Sequence, residues 1–120
     1  ILDTKEQVVS EIIEFARLLN ILTHFELENI ELLDSLISNT RRWLRNKRNL
    51  YQTEIAIFSH LRKWINAVNK KEEQQIWESL WNEMQDIKTN PKEQRVFNYF
   101  NVLVWVAAKK NGVGFMEISL

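Results

Sequence analysis

Apolar residues recur every three or four positions along most of this 120-residue chain, which is the spacing of helices that bury one face. The first such segment predicts a helix that begins after Thr4, where Thr4 and Gln7 have capping-box spacing, and that runs to about Leu22. The apolar stripe of this helix is wider than a narrow seam, which predicts contacts with neighbours on more than one side. The residues of its main stripe, and then those that widen it, are Val8, Ile12, Phe15, Leu19 and Leu22, followed by Val9, Ile13 and Ala16.

The next two helices form a predicted hairpin. Helix two is expected over about Glu28 to Asn46, and helix three starts near Asn49, which precedes Gln52 by three residues in a second capping-box arrangement. Because only a few residues link these helices, they should be antiparallel neighbours. Their apolar stripes are Ile30, Leu33, Ile37, Thr40 and Leu44, and then Tyr51, Ile55, Phe58, Leu61, Ile65 and Val68.

Two further helices are predicted in the second half of the chain. Asn69 and Glu72 have the spacing of a cap for helix four, and Asn90 followed by Pro91 marks the start of helix five. Gly112 is placed to end helix five, and the short tail after residue 114 is expected to fold back onto it. The apolar stripe of helix four is Ile76, Leu80, Met84 and Ile87, with Trp77 and Trp81 beside it.

The pattern therefore predicts an all-α fold of about five antiparallel helices in a single domain spanning residues 1–120. Two Gly and one Pro agree with this prediction, since turn-rich β folds use many more. The helices could form a stack of helical hairpins or a compact bundle. Wide apolar faces favour the stack, because an inner helix of a helical repeat contacts its hairpin partner and the next repeat.

Several classes of function are disfavoured by the composition. The absence of Cys excludes disulfides and thiolate metal sites and is compatible with a cytoplasmic location. The longest apolar run, Val102 to Ala108, is far shorter than the roughly 20 residues that cross a bilayer, so no membrane association is expected. The chain begins with Ile1 and shows no signal-like segment, which leads us to expect part of a longer protein.

Charge is balanced over the whole chain but unevenly distributed. Residues 1–40 carry two basic and eight acidic side chains, whereas residues 41–71 carry nine basic and one acidic. This basic segment has two readings: cations that stabilise helix C-termini and pair with acidic neighbours, or a surface for an acidic protein segment or a nucleic acid. Trp43 and Leu44 are expected on the buried side. The candidate partner-binding residues here are Arg41, Arg42, Arg45, Arg48, Arg62 and Lys63.

Tryptophan and histidine supply the remaining candidates. Trp77 and Trp81 are one helical turn apart and could anchor a partner, although aromatic residues at helical spacing are most often core. Trp105 fits no apolar stripe. His24 and His60 belong to no metal-binding or catalytic motif, so both are expected to be structural, and no cofactor, metal or catalytic residue is predicted.

Two stretches resemble the C-terminal part of a group of uncharacterised bacterial tetratricopeptide-like (TPR-like) helical-repeat proteins. They are Phe15 to Trp64, with its LLDSLI, TRRWLRNKRNLY and LRKW runs, and NPKEQRVFNYFNVLVWVAAKKNGVGFMEI from Asn90 to Ile118. The resemblance implies that the helices stack as TPR-like hairpins at the C-terminal end of a longer helical-repeat protein. With that fold we expect a non-enzymatic scaffold or protein–protein interaction module with a protein partner.

Two alternatives stay open. A nucleic-acid-associated helical protein would use the basic segment 41–71, and an enzyme would carry its active residues outside this sequence. Self-association through helix one is also expected, since its apolar residues exceed what one hairpin partner can bury.

Overall fold

The computed structural model describes residues 4–99 and 101–112. Helix accounts for 82% of these residues and strand is absent from them, so the all-α prediction is confirmed. The contacts divide the chain into two compact units, the first ending at Leu50 and the second beginning at Tyr51. The single-domain expectation stays a prediction, and the tail expected to fold back lies outside the described residues. The helices are α1 (Thr4–Glu26), α2 (Ile30–Arg45), α3 (Gln52–Ile65), α4 (Lys70–Ile87), α5 (Gln94–Tyr99) and α6 (Val102–Lys110), with a 3₁₀ turn at Pro91–Glu93.

The first unit is an antiparallel hairpin of α1 and α2. Arg48, which follows α2, reaches back to Glu14 near the middle of α1, as an antiparallel pair requires. The buried residues of each helix recur at spacings of three and four and so share one face. On α1 they are Leu18, Ile21, Leu22 and Phe25, and on α2 they are Leu33, Ile37, Thr40 and Leu44.

The stripe predicted for helix one is mostly wrong. Only Leu22 of its five main members is buried; Phe15 is half-buried, and Val8, Ile12 and Leu19 are exposed. Burial begins at Leu18, so the first half of α1 buries no apolar side chain fully. The periodicity could not separate the two faces because α1 is apolar on both.

A left-handed residue closes α1 and turns the chain into α2. Glu28 has φ +60°, and the N–H groups of Glu28 and Asn29 donate to the carbonyls of Phe25 and His24. These two bonds form a Schellman motif, in which glycine usually takes the left-handed position. Asn29 Nδ2 also donates to Nδ1 of His24 at 3.1 Å, so His24 has a structural contact in the turn.

The second unit packs α3 and α6 against α4. Its buried apolar residues are Ala56, Ile57, Phe58, Leu61, Trp77, Leu80, Met84, Ile87, Val96, Trp105, Val106 and Ala108. The stripe predicted for helix three is partly wrong, since Ile55 and Val68 are exposed while Phe58 and Leu61 are buried. Trp105, which fitted no predicted stripe, is the largest fully buried side chain in the described ranges.

The N-terminus of α3 is capped by a carboxylate from a distant part of the chain. Glu93 is 3% exposed and accepts hydrogen bonds from Gln52 N at 3.1 Å, Thr53 N at 2.9 Å and Thr53 Oγ1 at 2.7 Å. Glu54, also buried, accepts from Tyr51 N at 2.9 Å. Two carboxylates therefore satisfy N–H groups that a helix start leaves without partners, and their charge suits the positive end of the helix.

The predicted Asn49–Gln52 cap of helix three is wrong, because the N-cap residue of α3 is Tyr51. The caps predicted at Asn69 and Asn90 are confirmed. Asn69 accepts from Glu72 N, and Gly112, with φ +70°, follows the last residues of α6.

The predicted fifth helix is interrupted. Between α5 and α6, the side chain and carbonyl of Asn101 both accept from Val104 N. Asn101 therefore starts a new helix where the sequence pattern predicted a continuous one.

Candidate partner-binding surfaces

The C-terminal end of α2 carries the cations expected from the sequence. Arg42 and Arg45 lie in the last turn of α2 and are exposed, and Lys47 follows them, also exposed. Arg41 is half-buried on the same helix. Cations here are favoured by the unsatisfied carbonyls of the helix end, which explains their position without a ligand.

Arg48 is held by an ion pair within the first unit. Its Nε and Nη2 both lie 2.7 Å from Oε1 of Glu14, and the two side chains are only 23% and 14% exposed. Its Nη1 donates to the carbonyl of Asn49. The structure therefore gives Arg48 a role in joining α1 to the segment after α2.

Trp43 is half-buried and in contact with two cations. The guanidinium carbon of Arg17 lies 4.1 Å from the ring centroid, and Lys47 Nζ lies 4.7 Å from it. Both distances fall within the range of cation–π attraction. The expectation of a buried Trp43 is therefore only partly right, whereas Leu44 is fully buried. Sequence spacing gave no signal for Arg17, which lies on a different helix.

The other candidate residues lie in the second unit. Arg62 and Lys63 are in the last turn of α3, separate in the chain from the arginines of α2. Trp77 is 5% exposed, and its ring meets Trp105 edge-on, with centroids 5.7 Å apart and planes at 86°. Trp77 is therefore a core residue and is withdrawn as a candidate anchor, because a buried ring cannot contact a partner; Trp81 is half-buried.

An exposed apolar surface runs along α1 on the side opposite its buried face. At 100° per residue, the buried residues of α1 and this second set centre on opposite sides of the helix. The large members are between 41% and 52% exposed. The prediction that α1 has more apolar side chain than one partner helix covers is confirmed. We call this set the outer α1 strip; it consists of Val8, Val9, Ile12, Ile13, Ala16 and Leu19.

His60 is the one buried imidazole in the described ranges, at 2% exposed. Its Nδ1 lies 2.7 Å from the carbonyl of Ala56, which can only accept, so Nδ1 carries a hydrogen. Its Nε2 lies 3.1 Å from Ser79 Oγ and 3.7 Å from a carboxylate oxygen of Glu83. The tautomer of His60 is thus fixed by the backbone of its own helix.

An open pocket of about 320 Å³ lies beside His60. Ser79, which contacts the imidazole, lies in the middle of α4, where the neighbouring backbone N–H groups are used by the helix. Those N–H groups are therefore not available as an oxyanion hole for Ser79. We interpret His60 as a polar contact between α3 and α4. The pocket is lined by His60, Lys63, Asn66, Ala67, Glu72, Gln75, Ile76 and Ser79.

The sequence matches no protein-family model, no curated protein and no solved structure. The resemblance to TPR-like proteins therefore stays a prediction. Among residues 4–99 and 101–112, no helix is both long and apolar enough to cross a membrane. The same ranges contain no group of three or more side chains arranged to hold a metal ion.

Proposed function

We propose that this chain is a non-enzymatic, TPR-like scaffold that binds other proteins through an exposed helix face. The observation that carries the proposal is the outer α1 strip, whose large side chains remain 41–52% exposed beside a hairpin with its own buried face. Helices of a repeat stack need one apolar face for the hairpin and another for the next element, and α1 has both. A cytoplasmic location belongs to the proposal and rests on the absence of Cys.

The test compares two isoleucine variants of the tagged chain in bacterial cells. Ile13 belongs to the outer α1 strip and Ile55 lies on α3, and both are 47% exposed. Proteins cross-linked to the wild-type chain and to Ile55→Lys, including untagged copies of the chain itself, should be lost with Ile13→Lys. Finding the same proteins with all three chains, or none with any, would contradict a protein-binding role for the strip.

A nucleic-acid-associated role is the second candidate. The exposed Arg42 and Arg45 support it, since arginine pairs well with phosphate. Two observations weaken it: Arg48 is paired with Glu14, and cations already lie over the ring of Trp43, where a base would stack. Salt-dependent binding of RNA or DNA that is lost in the double variant Arg42→Ala, Arg45→Ala would promote this candidate over the scaffold.

A further inference from the structure

We propose that the outer α1 strip binds a second copy of this chain, with the two α1 helices antiparallel. The inference rests on the proposed protein-binding function and names its partner. It is carried by the spacing, the sizes and the charges of the exposed residues of α1.

The spacing is that of a seam between two helices. Val9, Ile12, Ala16, Leu19 and Thr23 follow one another at intervals of three, four, three and four residues, and all five are exposed. Alternating intervals of three and four keep one side of a helix against a partner helix. The hydroxyl of Thr23 donates to the carbonyl of Leu19 at 2.9 Å, so its polar group is already satisfied within α1.

Side-chain size favours the antiparallel direction. With two α1 helices antiparallel and centred near residue 14, Ile12 of one copy faces Ala16 of the other, and Val9 faces Leu19. Ile12 then meets the small side chain of Ala16, and Leu19 meets the shorter side chain of Val9. In the parallel direction Ala16 would face Ala16 and leave a gap, while Ile12 would face Ile12.

Charge favours the same direction. Lys5 lies at one end of the seam and Glu26 at the other, and both are exposed. Antiparallel pairing brings Lys5 of one copy near Glu26 of the other, whereas parallel pairing places like charges together. Helix α1 has a net charge of −2 from two cations and four carboxylates, which disfavours an anionic membrane surface as the occupant.

The area of the outer α1 strip limits the expected affinity of the dimer. From Lys5 to Glu26 the helix is about 30 Å long, so a strip roughly 10–15 Å wide covers about 300–450 Å² per copy. Standard stable interfaces use about 800 Å² per partner. We therefore expect weak, reversible dimers with a dissociation constant in roughly the micromolar range or above.

Sedimentation equilibrium on the full chain tests the association. Wild type and Ile55→Lys should show the same concentration-dependent dimer, and Ile12→Lys should raise its dissociation constant about tenfold or more. A wild-type chain that stays monomeric throughout, or a dimer unchanged by Ile12→Lys, overturns the inference. Strip-dependent binding of phosphatidylglycerol vesicles by a monomeric chain overturns it too.

Cysteine cross-linking tests the direction. Because the chain has no Cys, Ile12→Cys and Ala16→Cys chains can be prepared with different tags and mixed under mild oxidation. Antiparallel pairing predicts mixed disulfides that form faster than disulfides between identical chains, since bonding requires Cα atoms within about 7 Å. Faster bonding between two Ile12→Cys chains overturns the antiparallel arrangement.

The two proposals can fail separately. A monomer that still cross-links a different protein through the strip leaves the scaffold function standing and removes the second copy as its partner. A chain that neither dimerises nor cross-links a different protein through the strip would remove both proposals.

Discussion

Replacing Glu93 by Ala should destabilise the second unit more than any change at an exposed neighbour. The carboxylate accepts three hydrogen bonds at the start of α3, two of them from Thr53, which has no exposed surface. Removing it leaves a buried N–H and a buried hydroxyl without their acceptor. It also removes a negative charge from the positive end of the helix.

The expected loss follows from these contacts. An orphaned buried donor costs about 1–3 kcal/mol, and the Gln52 N–H adds less because its residue is exposed and water can replace the acceptor. The contributions overlap, so we expect Glu93→Ala to lower the free energy of unfolding by about 3–4 kcal/mol. Glu93→Gln keeps an acceptor oxygen but loses the charge, and should lower it by about 1–2 kcal/mol.

Urea unfolding followed by far-UV circular dichroism measures these differences, with exposed Lys92→Ala as the matched control. A double-mutant cycle with Thr53→Val should give a coupling of about 1–2 kcal/mol, because the hydroxyl contributes less once its acceptor is gone. If Glu93→Ala unfolded at the same urea concentration as Lys92→Ala, the distant cap would have no energetic role and the reasoning would be refuted.

Three further predictions concern single residues. Glu28→Gly should stabilise the chain by about 0.5–1 kcal/mol because glycine tolerates φ +60°, and an unchanged or lower melting temperature would contradict this. His60→Ala should lower the free energy of unfolding by about 2–4 kcal/mol and Ser79→Ala by under about 1 kcal/mol. Equal losses from the two changes in urea unfolding would contradict the burial of His60. Trp105→Ala should cost about 3–5 kcal/mol and weaken the near-UV dichroism of the Trp pair, and a retained near-UV spectrum would count against the packing.

Features that depend on neighbouring residues in the chain could be predicted from the sequence. The helices follow from apolar periodicity, and the Asn69 cap and the Gly112 stop follow from local backbone chemistry. Glu93 shows the limit of this reasoning. Glu93 lies just after Pro91, at the predicted start of helix five, but its carboxylate caps α3, about 40 residues earlier.

Which face of a helix is buried could be predicted only where one face is apolar. Helix α1 is apolar on two sides and α6 on nearly all, so periodicity could not assign Ile12 to the surface or Trp105 to the core. The exposure or burial of the candidate binding residues was also predictable only in part. The exposed position of Arg42 was predictable from its helix end, but the burial of Trp77 against Trp105 depends on packing between α4 and α6.

The central claim is that α1 buries one apolar face and leaves the other free to bind protein. The most direct test compares Ile13→Lys with Leu18→Lys by thermal unfolding, at concentrations below those of self-association. Ile13 is 47% exposed and Leu18 is 2% exposed, so Ile13→Lys should stay folded within about 0.5 kcal/mol of wild type. Leu18→Lys, which buries a charge, should lose several kcal/mol. A chain that unfolds with Ile13→Lys as readily as with Leu18→Lys would show that α1 is enclosed on both sides, and would contradict the account.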